Sequence, residues 1–563
     1  MTSIMSALAK KSPAVKTPAR LSDGGLIDRD TPLQFSFNGR SYTGYQGDTL
    51  ASALLANGIK VVGRSFKYHR PRGVFTAGEE EPCALLEIGE GDARVPTCRA
   101  PVIPLTQGLV ANSQNCWPSV KFDVGRIFDY THIFWPAGFY NKTFKWPSWQ
   151  TWEGIIRKSA GLGRPLTGPD PDHYEQVNAH CDLLICGGGP AGLMAALTSG
   201  RAGARVLLVE QDDSFGGILN WEQVRIEGKT GHAWAQDTVD ELRSLSNVML
   251  LPRTTVAGTY DHNVTSLLQT GKDTAWRECF WTVRPKKILL ATGAIEQGLI
   301  FPNNDRPGIM LAGAVRHYLN RYGIAAGRNV VISCNNDTAY QTVFDLARQH
   351  LPVSTVVDVR DQVSAEIRQR LADLGTTLYT SARIGDTRGA RGDGCISEVS
   401  IERLNGSSLG SQECNLLAVS GGWSPRVHLL AHARGQLKFD AASQSFLPGE
   451  LPQGFAVVGS ARGTASLAAT LEESVLVAGE ICSALGFKGQ KPVIPQVDKT
   501  TVESNEVAAA PLDMTKHRQW IDLAHDVTLG DAELAVREGF VSVEHFKRYT
   551  TTGMSVDQGK TGN

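Results

Sequence analysis

Around residue 185 the chain passes from an apolar run through a glycine turn into a helical pattern and then a second apolar run. Leu183, Leu184 and Ile185 are consecutive apolar positions, as in a strand buried on both faces. Gly187, Gly189 and Gly192 follow as G-x-G-x-x-G, and Pro190 and Ala191 open a predicted helix that runs to Gly203. A second predicted strand, Arg205 to Val209, delivers Glu210 and Gln211, and Gly217 closes the segment. In such a unit the first glycine permits the tight turn, the second lets backbone approach a pyrophosphate, and the third lets helix pack on strand. A carboxylate at Glu210 accepts hydrogen bonds from both ribose hydroxyls and repels a 2′-phosphate, so the pattern predicts NAD or FAD in preference to NADP.

The same patterning divides the chain. Residues 1–30 form a polar, basic lead expected to be mobile. Residues 31–116 open with alternating Leu33, Phe35 and Phe37, turn at Asn38-Gly39 and return from Tyr42 to Tyr45. A helix from Thr49 to Asn57 follows, with Asp48 as its expected cap and Gly58 as its stop. Strand, hairpin and helix in this order predict a plant-ferredoxin-like α+β domain. Residues 117–180 are an aromatic-rich connector, broken by prolines, whose rings are expected to bury against the chain's own domains or another subunit.

Residues 181–487 read as a two-dinucleotide-binding-domain, Rossmann-like core of flavoprotein type. Its second half has a strand from Arg328 to Ser333, but Asn335 and Asn336 stand where a second glycine fingerprint belongs, so this half is expected to keep the fold without a strong nucleotide site. The chain returns to the first site through Leu289 to Glu296, with Thr292 and Gly293, and again through Gly459 and Ser460. Residues 488–516 are a linker rich in proline, serine and charge, and residues 517–563 a small helical domain. The fold class is thus multidomain α/β.

Composition narrows the chemistry. The 563 residues carry a net charge of −1, which argues against a nucleic-acid partner. No apolar run has the length of a membrane span, and the amino terminus lacks the apolar stretch of a secretory signal. Ten scattered cysteines read as reduced thiols, hence a cytoplasmic setting. Cys181 and Cys186 flank the first strand at a separation beyond disulfide reach, with side chains expected on opposite faces. The histidines lack metal-ligand spacing and no Ser-His-Asp set stands out, so neither a metal site nor a catalytic residue is assigned.

The ordered motifs SFKYHRPRG, GGGPAG, ATGAIE, AVSGGWSPRVHLL and EGFVSVEHFKRYTTTGMSVDQGKTGN resemble those of the alpha subunit of heterotetrameric sarcosine oxidase. The resemblance implies an enzyme active only as a complex with a beta flavoprotein and gamma and delta subunits. Sarcosine is oxidised at FAD on beta, with oxygen reduced to hydrogen peroxide and the one-carbon unit released as formaldehyde or methylenetetrahydrofolate. It also implies NAD in this chain, with FAD as the alternative occupant, and FMN at the contact with beta. In that family a tetrahydrofolate-binding domain follows the DQGKT segment, and this sequence stops at Asn563. Two other readings stand beside it: a self-contained FAD-dependent NAD(P)H oxidoreductase, and a subunit of a related proline, opine or glycine dehydrogenase complex.

Relatives with a cluster in the amino-terminal domain place cysteines in C-x4-C-x2-C with a fourth further on. Counted back from Cys83, the first two positions hold Phe75 and Glu80, and Cys98 holds the fourth. The terminal segment resembles the 2Fe-2S domain of bacterioferritin-associated ferredoxin, with Asp522, Ala524, Asp557 and Gly562 at its ligand places. On this count no iron–sulfur cluster is expected. Ser460 stands where FAD enzymes of this type carry aspartate, which favours NAD. Lys547, Arg548, Thr550 and Thr551 are expected to hold the FMN phosphate. Arg64, Lys67, His69, Arg70 and Arg72 read as a structural loop, with Glu79 to Glu81 as their nearest acidic partners.

Overall fold

The computed structural model describes residues 18–91, 94–139, 144, 146–159, 161, 163, 168–488, 493–498, 506–516 and 518–562. Most of the predicted lead, and parts of the connector and linker, lie outside the described residues.

The amino-terminal domain is a five-stranded sheet crossed by one helix. Its elements are β1 (Asp28–Phe37), β2 (Arg40–Gln46), α1 (Leu50–Ala56), β3 (Leu85–Ile88), β4 (Val95–Arg99) and β5 (Val110–Ser113), in the order β2-β1-β5-β3-β4. Alternation holds along β1, where Leu33, Phe35 and Phe37 are buried in one cluster with Leu50 and Leu54 of α1. Asn38 and Gly39 both have positive φ, 50° and 73°, the left-handed pair a two-residue hairpin requires. Thr49, not Asp48, caps α1: its hydroxyl accepts from Ser52 N while Ser52 Oγ accepts from Thr49 N. The Asp48 carboxylate instead accepts from Tyr45 N and Ser52 Oγ and pairs with Arg20 at 2.6 Å, a partner too distant in sequence to read from the local pattern.

The core has two sheets. In the first, β6 (Tyr174–Cys186), β7 (Val206–Val209), β8 (Val248–Leu251), β9 (Thr254–Thr259), β10 (Thr265–Thr270) and β11 (Glu278–Leu290) are ordered β8-β7-β6-β11-β10-β9. The first four of these run parallel and the last two return antiparallel. In the second, β12 (Ile309–Leu311), β13 (Val330–Cys334), β14 (Val353–Asp358), β15 (Thr377–Tyr379) and β16 (Leu416–Ser420) make an all-parallel sheet ordered β12-β16-β13-β14-β15. β17 (Phe455–Val457) then pairs with the end of β11 in the first sheet. The fully buried runs of β7, β13 and β16 are what a parallel sheet covered on both faces demands.

Cys181 and Cys186 are free, buried thiols in the same apolar cluster, so their expected placement on opposite faces is corrected. In the second half, Asn335 and Asn336 are buried across the turn after β13. Asn335 Nδ2 donates to Gly421 and Ala508 carbonyls, and Asn336 caps the following turn.

The basic SFKYHRPRG loop is a clasp between parts of the chain. Arg72, with a side chain 2% exposed, pairs with Asp305 and Asp526. Arg70 joins Asp305 at 2.6 Å and Asp129 at 3.3 Å, Lys67 reaches Asp531, and His69 Nδ1 lies 2.7 Å from Asp123. The expected partners Glu79 to Glu81 are engaged elsewhere. Glu79 pairs with Arg99, Glu80 pairs with Arg426, and the buried Glu81 carboxylate accepts the N–H groups of Phe75, Thr76, Cys83 and Ala84. Nearness in sequence misjudged them because that loop folds back on its own backbone.

The aromatic connector is covered only in part by the chain's own domains. Trp135 packs edge-on against Phe128 and Phe139, but Trp117 and Phe122 are each 71% exposed, Trp146 is 83% exposed, and Tyr130, Ile133 and Phe134 are also exposed. The rings are therefore not all buried on the chain's own domains. Two helices near the end, α5 (Leu529–Arg537) and α6 (Val543–Thr550), pack together behind a short hairpin, Trp520–Asp522 with Val527–Thr528. Among the described residues, no helix is long and apolar enough to cross a membrane.

Candidate functional site

The glycine turn lies between β6 and the helix Pro190–Arg201, and close backbone contacts make Gly187 and Gly192 obligatory. A Cβ on Gly192 would sit 1.8 Å from Gly187 O, and one on Gly187 2.3 Å from Ala291 O. Gly187 has φ +107° and Gly217 φ +52°, and a Cβ on Gly217 would come within 2.9 Å of Gly189 Cα. Pro190 sits at the first helical turn, where its missing N–H costs nothing. The turn therefore presents bare backbone and a helix start to the space in front of it, a ready cradle for a pyrophosphate.

Glu210 ends β7 and faces the same turn. Its Oε2 accepts from Gly188 N at 2.7 Å and its Oε1 from Asp212 N at 3.0 Å, and each oxygen retains a lone pair for a ribose hydroxyl. Burial, aided by the neighbouring Asp212 charge, pushes its carboxyl up to about 7, and burial raises Asp212 as well. The protonated acid cannot accept from both ribose hydroxyls, whereas the anion can. Dinucleotide affinity is accordingly expected to rise with pH toward about 7, by at most about tenfold per pH unit well below that value, and to level off above, as one-proton linkage requires. Glu210→Gln should abolish that slope. Fluorescence titration across the range checks it, and a flat profile in the unaltered chain would remove Glu210 from the role of ribose acceptor.

The later returns pack against the turn. Thr292 Oγ1 donates to Arg426 O at 2.7 Å, Arg426 N donates to Gly293 O, and a Cβ on Gly459 would touch Ala191 Cβ at 3.0 Å. Gly187, Gly189, Ala191, Gly192, Glu210, Gly217, Thr292 and Gly459 are thus neighbours at the turn, with Pro190 at the helix start, while Gln211, Gly293 and Ser460 adjoin them along the chain. Two functional groups escaped the sequence reading. Glu473, on α4 (Leu467–Ala484), accepts from Gly459 N at 2.7 Å and Thr464 Oγ1 at 2.8 Å, bringing a carboxylate to the loop where Ser460 replaces the expected aspartate. Arg426 pairs with Glu80 at 3.0 Å, and its charge favours the ionised forms of Glu210 and Asp212. Its place in the return SPRVHLL was its only signal.

Lys547, Arg548, Thr550 and Thr551 are not part of that crevice. They end α6, where Thr550 is buried with its hydroxyl donated to Phe546 O, and Thr551, at φ 68°, closes the helix. Arg548 lies 3.3 Å from Glu544. Nearby, Asp522 ties two loops together, accepting from Ala524 N and His525 N with one oxygen and from Gly553 N with the other. Asp557 accepts from Thr561, and a Cβ on Gly562 would lie 3.9 Å from Asp522 Oδ2. Carboxylate hydrogen bonds span these positions.

Comparison with known proteins follows the same divisions. Residues 30–116 match the 2Fe-2S iron-sulfur cluster binding domain, residues 182–278 the FAD dependent oxidoreductase family and residues 516–563 the sarcosine oxidase A3 domain. Sarcosine oxidase subunit alpha of Rhizobium meliloti (strain 1021) is 44% identical over 97% of this chain and 55% of that protein. The chain is a homologue of the sarcosine oxidase alpha subunit. The subunit alpha of Corynebacterium sp. (strain P-1) is 34% identical over 97% of this chain and 54% of its own length, so the chain spans about half the length of these relatives. The crystal structure of L-proline dehydrogenase from P. horikoshii shares the fold, with a TM-score of 0.67 at 19% identity, covering 97% of this chain and 92% of that one.

These matches correct the expected cofactors. The expectation of NAD in this chain and of a ferredoxin-like domain without a cluster is replaced by a match to a 2Fe-2S iron-sulfur cluster binding domain at residues 30–116 and to an FAD dependent oxidoreductase domain at residues 182–278. The described side chains fit the two groups unequally. The crevice at Gly187 to Glu210 suits an adenine dinucleotide throughout. In the other domain Cys83 is buried and Cys98 half-buried, and among the described residues no three His, Cys, Asp or Glu side chains are grouped to hold a metal.

Proposed function

We propose that this chain is the alpha-type subunit of a sarcosine-oxidase-like complex that demethylates sarcosine oxidatively to glycine. In this reading a beta-type flavoprotein carries the amine-oxidising FAD, and the present chain binds an adenine dinucleotide at Gly187 to Glu210, of the FAD class by family. The observation that carries it is similarity at 44% identity extending over 97% of the chain, amino-terminal domain, core and terminal segment together. The exposed rings of Trp117, Phe122, Tyr130 and Trp146 support a large protein partner, since aromatic residues are enriched at the buried centre of such contacts. Lys547 at the end of α6 would supply a cation for an FMN phosphate at the subunit contact.

The test is to purify the chain from its own host and, separately, alone. Sarcosine-dependent hydrogen peroxide formation is expected to copurify with the chain and a second flavoprotein, and to be absent from the chain alone. Trp117→Ala combined with Phe122→Ala should release the partner while leaving the chain's melting temperature unchanged. A second reading, a self-contained FAD-dependent NAD(P)H oxidoreductase, draws on the intact nucleotide turn. It would be favoured instead by NADH-driven dye reduction by the isolated chain. Proline, an opine or glycine as substrate would keep the architecture and change only the amine.

A further inference from the structure

We propose that a cavity away from the nucleotide crevice binds a small phosphate-bearing anion carrying at least two negative charges. It lies between the amino-terminal domain, the connector and the loop at 389–394, and has a volume of about 410 Å3, within the range of small-ligand pockets. Five arginines face it, Arg64, Arg70, Arg126, Arg306 and Arg391, against three aspartates, Asp129, Asp305 and Asp393.

Two of those aspartates are already committed. Asp305 serves Arg70 and Arg72, and Asp129 serves Arg70 and Arg518. Among the described residues, Arg64, Arg126, Arg306 and Arg391 have no carboxylate within ion-pair distance. Arg64 spends its guanidinium on the carbonyls of Val120 and His69 and contributes charge alone. Arg306 uses only Nε, on Thr387, and one of its terminal nitrogens lies against Gly389, where a Cβ would come within 2.6 Å. Arg126 lies over the Tyr130 ring at 5.5 Å.

Burial pushes the Arg64 and Arg306 guanidinia below their ordinary range, and Arg70 adds repulsion at Arg306. Arg64 and Arg306, half-buried and without a carboxylate partner among the described residues, are costly without a counter-charge, and the exposed Arg126 and Arg391 add positive charge at the mouth. A carboxylate offers two oxygens in one plane, while a phosphate group offers three and meets several guanidinium forks at once. The polar lining, with Pro71 and Ala390 as its apolar members, leaves little for a large apolar ligand to contact.

Inorganic pyrophosphate is the probe, titrated calorimetrically into the full chain with excess FAD present so that the nucleotide crevice is filled. One saturable site is expected, weakened about tenfold by Arg306→Gln and by Arg126→Gln, the loss of one charge-assisted contact. Arg243→Gln, an exposed residue on the helix Gly231–Ser244, should leave it unchanged. Inorganic phosphate binding as tightly as pyrophosphate would assign a terminal phosphoryl group, and weaker binding a diphosphate. Absence of saturable binding, insensitivity to both variants, or equal binding of citrate would overturn the proposal. Arg126 is exposed and its replacement should not disturb folding, so the test stands even if Arg306→Gln unfolds.

Discussion

Asp305→Ala is expected to destabilise the molecule by about 3–5 kcal/mol, the cost of stranding buried charges. Asp305 is buried, and the guanidinia of Arg70 and Arg72 converge on it. Removing the carboxylate leaves Arg72 with Asp526 and Arg70 with only the more distant Asp129. Arginine keeps its charge under all ordinary conditions, so no proton loss relieves the strain. The effect should also show in pH dependence. The two arginines hold the Asp305 carboxyl well below the usual carboxylate range despite burial. A carboxyl whose folded value is depressed adds stability that is fully present above its unfolded value, near about 4, and is lost as pH falls through the folded value. Denaturant titration of both chains at neutral pH and at about pH 3 should therefore give a smaller gap at the lower pH. A neutral-pH loss below about 1 kcal/mol would show that the pairs are worth no more than surface ones.

Gly192→Ala is expected to empty the nucleotide site and destabilise the core by about 3 kcal/mol, the upper end for an added methyl in a packed interior. The new Cβ would lie 1.8 Å from Gly187 O, and that neighbour is backbone in the turn itself. Relief requires the helix to back away from β6 or the turn to open, and either movement dismantles the cradle. Gly479→Ala is the matched control, because a Cβ there meets nothing within 4 Å on helix α4. It should stabilise the chain by about 0.5–1 kcal/mol through helix propensity. Nucleotide released on denaturation, measured per mole of chain, separates the two. Full retention by the Gly192 variant would mean the turn tolerates what its geometry forbids.

These two sites also mark what was readable in advance. The glycine turn was legible because its chemistry is local: Gly187 to Glu210 spans one turn, one helix and the strand β7. Leu33 to Tyr45 was legible for the same reason, since a hairpin carries its own register. The partners of Arg70 and Arg72 were not, because Asp305 is 235 residues from Arg70 and Asp526 is 454 from Arg72. Nothing in a linear pattern favours Asp305 over Glu80. Glu473 was missed likewise, since the chain must close on itself before that carboxylate meets Gly459. The cofactor expectation rested on single positions, Phe75, Glu80, Cys83 and Cys98, whereas the family match extends over residues 30–116.

The clasp around Arg72 also bears on how the molecule comes apart. One guanidinium answers to an aspartate in the core and another in the terminal segment, while its own backbone belongs to the amino-terminal domain. None of these three stretches can detach first without leaving an ion in a nonpolar interior. Domains that look separable in sequence are thereby joined into a single cooperative unit, in which partial opening is penalised as heavily as complete loss of structure.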